Sequence, residues 1–263
     1  MEHAERALTI AMTPGPVVIG ATGGSGTRVV ARLARHAGYD LGSNLNEAED
    51  ALEFYPFHEK WINPYVTAQL AGRLTKQVAQ RMDIDFQSTL ERHCPANLRT
   101  DRHWGWKAPR SIYLLPFLRR HLPDMKFIHV LRDGRDMVLS ANQNQLRKHG
   151  RAVLTWRERW FRSAPERAML LWDRVNLRAA EFGEAELGPS YLRVRFEDLC
   201  ANPVETTGRI MNFLGALVDP ETISRAEISP PATLQRWRNY PAKLIIKLEQ
   251  IGGNSLRKFG YLA

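Results

Sequence analysis

The chain has 263 residues, 44% of them apolar, enough to bury one substantial core. Seven Trp and ten Phe exclude a disordered chain, and no apolar run nears the ~20 residues that a membrane-spanning helix needs. A formal net charge of +9 implies an anionic partner without naming it.

Residues 1–15 include Glu2 and Glu5 and lack the long apolar centre of a secretory signal. They read as a flexible leader before one domain spanning 16–263. Val17–Gly20 is β-branched and strand-like, and Thr27–Ala37 reads as a helix closed by Gly38 at the C′ position. Between them lies "ATGGSG", with Gly23, Gly24, Ser25 and Gly26 leading into Thr27 and Arg28. Such a loop could simply be a tight turn, but glycines beside a helix N-terminus also offer free N–H groups and a favourable dipole to an anion.

Residues 39–61 hold acids and aromatics with little period and read as loop with short helices. Tyr65–Arg81 and Ile84–His93 read as helices, and Trp104–Arg110 ("WGWKAPR") as a short strand passing into a loop. Cys94 and Cys200 lie far apart, fit no disulfide framework or metal site, and suit reduced thiols in a cytoplasmic protein. Ser111–His121 is helical in pattern, and Leu122–Asp124 turns the chain. "KFIHVL" (Lys126–Leu131) is the most strand-like run, with Arg132 at its end and a helix expected from Asp133. A long helix is expected over Ala164–Glu186, a strand over Tyr191–Phe196, and mostly helix thereafter.

Strands separated by helices predict an α/β fold, P-loop-like, with a central parallel sheet flanked by helices on both faces. Ligands of such sheets lie beyond the carboxyl ends of the strands, here the rim carrying Gly23–Arg28, Lys107 and Arg132. The basic residues interleave with Glu and Asp along amphipathic segments, so no nucleic-acid groove is expected.

Three anion-binding chemistries compete for this loop. A nucleotide-hydrolysing P-loop would read G-x-x-x-x-G-K-[ST], but counting from Gly20 the sequence places Gly26 where the lysine belongs. The next clear strand ends in Arg132 rather than an acidic Mg²⁺ ligand. A short-chain dehydrogenase, binding NAD(P), could open with "GATGGSG", but no second strand follows the first helix and no Tyr-x-x-x-Lys pair is present. The third is a phosphate site built without lysine or metal. In "KFIHVLRDGRDMVLSANQNQ", the guanidinium of Arg132 and the hydroxyl of Ser140, eight residues on, can converge on one terminal phosphate.

That segment resembles the 3′-phosphate-binding element of sulfotransferases, which use 3′-phosphoadenosine 5′-phosphosulfate (PAPS). "WGWKAPRSIYLLPFLRRHLPDMKFIHVLRDGRDM" is similar to the central block of the bacterial and Golgi-type members. "YLRVRFEDLCANPVETTGRIMNFLG", "LQRWRNYPAK" and "LRKFGY" resemble their later segments, so the likeness runs from Val17 to Tyr261.

The resemblance implies a metal-independent transfer of the sulfuryl group from PAPS to an acceptor hydroxyl or amine, leaving adenosine 3′,5′-bisphosphate (PAP). The 23–28 loop would hold the 5′-sulfophosphate, although Gly24 stands where many members carry a basic residue; Arg28 is the nearest substitute. Lys107 would bond the bridging oxygen. A Glu shortly after the first helix serves as base in relatives, which points to Glu47, then Asp50, among the acids Glu47, Glu49, Asp50 and Glu53; His58 is a third candidate. Arg236, Arg238 and Lys258 would close over the nucleotide, with Trp237 against the adenine. "NQNQLRKHGRAVLTWRERW" would shape the pocket for a small-molecule, carbohydrate or peptide acceptor, while nothing in these patterns fixes an oligomeric state. A non-catalytic nucleotide-binding domain would keep the cradle and need no base.

Overall fold

The computed structural model describes residues 15–99 and 103–262. The predicted leader, residues 1–15, lies outside the described residues except for Gly15. Four strands, β1 (Val17–Ala21), β2 (Gly105–Lys107), β3 (Lys126–Leu131) and β4 (Tyr191–Arg195), form one parallel sheet in the order β2-β1-β3-β4. β1 leads into α1 (Thr27–His36). Three helices then cross to β2: α2 (Phe54–Ala71), α3 (Lys76–His93) and the single turn α4 (Ala96–Arg99). A 3₁₀ segment (Pro109–Leu114) and α5 (Leu115–His121) carry the chain to β3. The next crossover holds α6 (Gly134–Val138), α7 (Asn144–Val153), α8 (Trp156–Phe161) and α9 (Ala164–Phe182). Beyond β4 lie α10 (Phe196–Ala201), α11 (Pro203–Leu214), α12 (Pro220–Glu227) and α13 (Ala242–Lys258).

Strand alternation decides what each face buries. Val17, Ile19 and Ala21, with Ile128, Val130 and Val194, pack on α1, α11 and α12. Val18 and Phe127, with Trp106, face the other way into a cluster with Phe57, Phe86 and Val175, from α2, α3 and α9. A parallel sheet covered on both faces needs such nearly continuous apolar strands. Trp106 anchors the second layer: it stacks on Phe54 with ring centroids 4.4 Å apart, and its indole N–H donates to Ser111 Oγ at 3.0 Å. A stacked pair of this kind is worth about 0.5–1.5 kcal/mol beyond the area it buries.

The strands and α1 fall where the sequence predicts, but the rest of the first crossover does not. α2 starts at Phe54, inside the segment expected to be loop with short helices, and runs for 18 residues, while α3 runs unbroken from Lys76. The apolar stripe was present, with Phe54, Phe57, Trp61 and Tyr65 all buried at helical spacing. Two prolines disguised it. Pro56 sits in the first turn, where its missing N–H has no helical partner anyway, and Pro64 is tolerated in the interior. The real break is Gly72, at φ +62, followed by Thr75, whose hydroxyl accepts the Val78 N–H at 3.3 Å. The helix expected over Ala164–Glu186 ends at Phe182 and passes into a π-turn over Gly183–Leu187.

Candidate active site

All four strands point their carboxyl ends at one rim, and a cleft of about 650 Å³ opens there. β1 supplies the glycine loop, β2 ends at Lys107, β3 delivers Arg132 and β4 leads into Phe196. Gly23, Gly24, Gly26, Thr27 and Arg28 line the cleft. Gly26 occupies the position before α1 with φ +83, and a Cβ there would lie 2.2 Å from the Phe196 ring, so only glycine fits. No side chain caps α1, which leaves its N-terminal N–H groups and dipole to the cleft. Ser25 does not line the cleft: it is buried, and its hydroxyl donates to the Thr22 carbonyl at 2.6 Å, bracing the loop from behind. Arg28 is exposed and donates to the Glu47 carbonyl at 3.2 Å, tying the loop to the acidic segment.

Lys107 is 1% exposed. Its ammonium donates to the Asp50 carboxylate and to the Ala48 carbonyl. Burial pulls its pKa below the ordinary lysine value, and Asp50 opposes that pull. Asp50 also accepts from the Tyr55 hydroxyl at 3.2 Å and from the Asn46 amide at 3.4 Å. Glu47 differs: it is exposed at the cleft wall, and its carboxylate has no hydrogen-bond or ion-pair partner among the described residues. Glu49 turns away to pair with Arg32 and Arg35, and Glu53 pairs with His93 at 3.5 Å. His58 reaches the cleft as a neutral ring, since burial, with Arg110 and His149 nearby, holds its pKa well below the usual imidazole value.

On the opposite wall Arg132 is 5% exposed. Its Nη2 donates to the Thr233 carbonyl at 2.7 Å and approaches Asp136 at 3.4 Å, while its buried Nε has no partner. Ser140 does not sit on the helix after β3, because α6 stops at Val138. It occupies the following turn, accepts the Asn142 N–H at 3.2 Å, and lies outside the cleft lining. Arg236 and Lys258 are also outside that lining. Lys258 pairs with Glu184 at 2.9 Å, and Trp237 is covered by the Arg135 guanidinium 3.8 Å from its ring. Arg238 is exposed and lies 5.1 Å from the same ring.

The sequence reading passed over Arg110. It follows β2 on the same rim, is 8% exposed, lies 4.6 Å over the Tyr55 ring and donates to Glu59 at 2.6 Å, while its buried Nη2 has no partner. Its place in "KAPR", three residues past the buried lysine, was the available signal. Lys148 and Asn144 of α7 complete that side. Five cations thus face the cleft (Arg28, Lys107, Arg110, Arg132 and Lys148) against the carboxylates of Glu47 and Asp50. Such a field suits a multiply charged anion. Among the described residues no cluster of three or more His, Cys, Asp or Glu side chains is arranged to hold a metal ion.

The sequence profile of the sulfotransferase family matches residues 16–220. The chain belongs to the sulfotransferase family. Solved structures carry the same fold at low identity. The sulfotransferase domain of the olefin synthase from Synechococcus PCC 7002 is 18% identical, with a TM-score of 0.54 over 95% of this chain and 96% of that one. A sulfotransferase domain from the curacin biosynthetic pathway is 14% identical, with a TM-score of 0.51 over 92% and 97%. STF9 from Mycobacterium avium is 13% identical, with a TM-score of 0.50 over 94% and 77%. No curated protein matches the sequence. For this sulfotransferase the missing P-loop lysine is intelligible. The loop leaves glycine N–H groups and a helix end open to the cleft, and fixed charge comes from Lys107 at the end of β2 and Arg132 just past β3.

Proposed function

We propose that this sulfotransferase moves the sulfuryl group of PAPS to an acceptor hydroxyl and releases PAP. The observation that carries the reading is the meeting, in one cleft, of a glycine cradle at a helix N-terminus with Lys107 and Arg132. The buried, unpartnered Nε of Arg132 and the glycine position closed to any Cβ fit a phosphate-bearing nucleotide.

The donor supplies an activated sulfur–oxygen bond to phosphate. The chain's own groups do the rest. The loop N–H groups and Thr27 hold the 5′ end, and Arg132 holds the 3′-phosphate, with Ser140 reaching it only if its turn shifts. The Lys107 ammonium stabilises charge developing on the oxygen that leaves with the phosphate as the bond from sulfur to the acceptor oxygen forms. The acceptor proton passes to a carboxylate. Glu47 fits this role better than Asp50, because Asp50 is already committed to three donors while the Glu47 carboxylate is open to the cleft. Asp50 instead holds Lys107 protonated and aimed. Arg236 and Lys258 would take part only after rearrangement of their present surroundings.

Calorimetric titration of PAP, without Mg²⁺, tests the reading. Wild type is expected to bind in the micromolar range. Arg132→Ala should weaken binding about 10- to 100-fold, the worth of a charge-assisted contact of roughly 1.5–3 kcal/mol. Absence of heat with folded wild-type protein would overturn the assignment, and NADPH would be the next ligand to titrate.

A further inference from the structure

The most exposed aromatic side chains of the molecule stand together on α8. Trp156 is 57% exposed, Trp160 79% and Phe161 77%, and no residue of this helix is buried. Positions 156, 157, 160 and 161 fall on one side of a helix. Trp156 and Phe161 meet edge to face with centroids 6.2 Å apart, and the Arg157 guanidinium lies 5.6 Å from the Trp156 ring. The opposite side holds the helix to the protein: Glu158 pairs with Arg174, and the Arg159 carbonyl accepts from Arg167 at 3.1 Å.

The segment that carries these rings is strongly cationic. From Asn144 to Ser163 the sequence carries Arg147, Lys148, Arg151, Arg157, Arg159 and Arg162 against Glu158 alone. Glu158 is occupied by Arg174, and Arg147, Arg151, Arg157 and Arg159 have no carboxylate partner among the described residues. A projecting group of two indoles and a phenyl ring, with the Arg157 guanidinium beside it and further unpaired guanidinium groups along α7, has the chemistry of an interfacial anchor. The rings settle at headgroup level and the arginines meet lipid phosphates. Side chains this exposed stand out into solvent, which suits a deformable lipid phase better than the preformed pocket of a rigid protein.

We propose that α8, with the exposed arginines of α7, docks this protein on an anionic lipid surface. α7 also contributes Asn144, Gln145 and Lys148 to the cleft, so the docking segment is continuous with one wall of the cleft. This inference does not depend on the nucleotide.

Co-sedimentation with phosphatidylcholine vesicles, with and without phosphatidylglycerol, is the test. Wild type is expected to bind the anionic vesicles, less so in high salt, and to ignore the neutral ones. Trp160→Ala/Phe161→Ala should weaken binding tenfold or more, and each of Arg151→Gln and Arg157→Gln about fivefold, the factor corresponding to about 1 kcal/mol per charge. Unchanged circular dichroism and melting temperature would certify that the variants fold. The proposal is overturned if wild type ignores anionic vesicles, or if loss of both rings leaves binding unchanged. It is equally overturned if the rings are needed only for concentration-dependent self-association or for retention by an acidic protein in the absence of lipid.

Discussion

Asp50 and Glu47 lie three residues apart on the same cleft wall, yet their surroundings give them different work. Asp50 is the counter-charge of a buried lysine; Glu47 is unengaged. Glu47→Gln should therefore reduce kcat by about 10²- to 10⁴-fold while leaving PAP affinity unchanged, as loss of a general base does. Asp50→Asn should act through Lys107. Burial already lowers that pKa and Asp50 raises it, so removing the carboxylate lets the pKa fall further. If catalysis needs the ammonium, the alkaline limb of the kcat profile must move to lower pH in Asp50→Asn and stay in place in Glu47→Gln. Profiles that shift in Glu47→Gln instead would exchange the two assignments. The sequence pointed to this acidic segment but could not separate its members, because the distinction rests on Tyr55, Asn46 and a buried ammonium that meet only after folding.

At the scale of elements, the segment from Ser229 to Asn239 matters most to the cleft wall that carries Arg132. Asp136 of α6 is fully buried and accepts the Gln235 N–H at 2.7 Å and the Trp237 N–H at 3.0 Å. It thereby holds Gln235 at φ +57, a left-handed conformation that a non-glycine residue rarely adopts, and starts the 3₁₀ turn over Arg236–Asn239. Thr233 in turn accepts from Arg132. Asp136→Ala should release this strap, accelerate proteolysis within 229–240, and weaken PAP binding about tenfold through a loosened Arg132. A variant that binds PAP as wild type does would show that Arg132 is positioned by β3 alone. β1 and β3 were legible because apolar, β-branched runs stop abruptly at the glycine loop and at Arg132. The strap was not, since its contacts to Asp136 and Arg132 span about a hundred residues. The same holds for Ser140, whose helix was expected to be longer, and for Lys258, whose partner Glu184 lies far away in sequence.

Across the whole molecule, the buried histidines couple stability to pH. His129 lies between Tyr191 Oη at 2.6 Å and Asn176 Oδ1 at 2.9 Å, and His149 faces Asn63 Oδ1 at 2.9 Å. The Asn176 amide donates to the Trp172 carbonyl and the Asn63 amide to the Lys148 carbonyl, so each amide oxygen accepts a ring N–H from a neutral imidazole. Burial lowers both pKa values to about 4, and it holds that of His58 well below the usual imidazole value too. In the unfolded chain each ring titrates near 6.5. As pH falls from about 6.5 towards 4, the unfolded state takes up protons that the folded state refuses, so stability is present above this window and lost through it. At pH 5 the loss is about 2 kcal/mol for each of His129 and His149, a large part of the ~5–15 kcal/mol that holds a typical domain. Below this range the carboxylates of Glu158 and Glu166, held at about 2 by Arg174 and by Ser163 respectively, add a second loss in the same direction. Thermal melts should therefore show a melting temperature on the order of 10 °C lower at pH 5 than at pH 7. His149→Phe gives up the Asn63 bond and should be less stable at pH 7, yet its melting temperature should fall less between the two pH values. A wild-type melting temperature that stays flat from pH 7 to pH 5 would mean these rings are protonated in the folded state, and the neutral network around β3 would have to be redrawn.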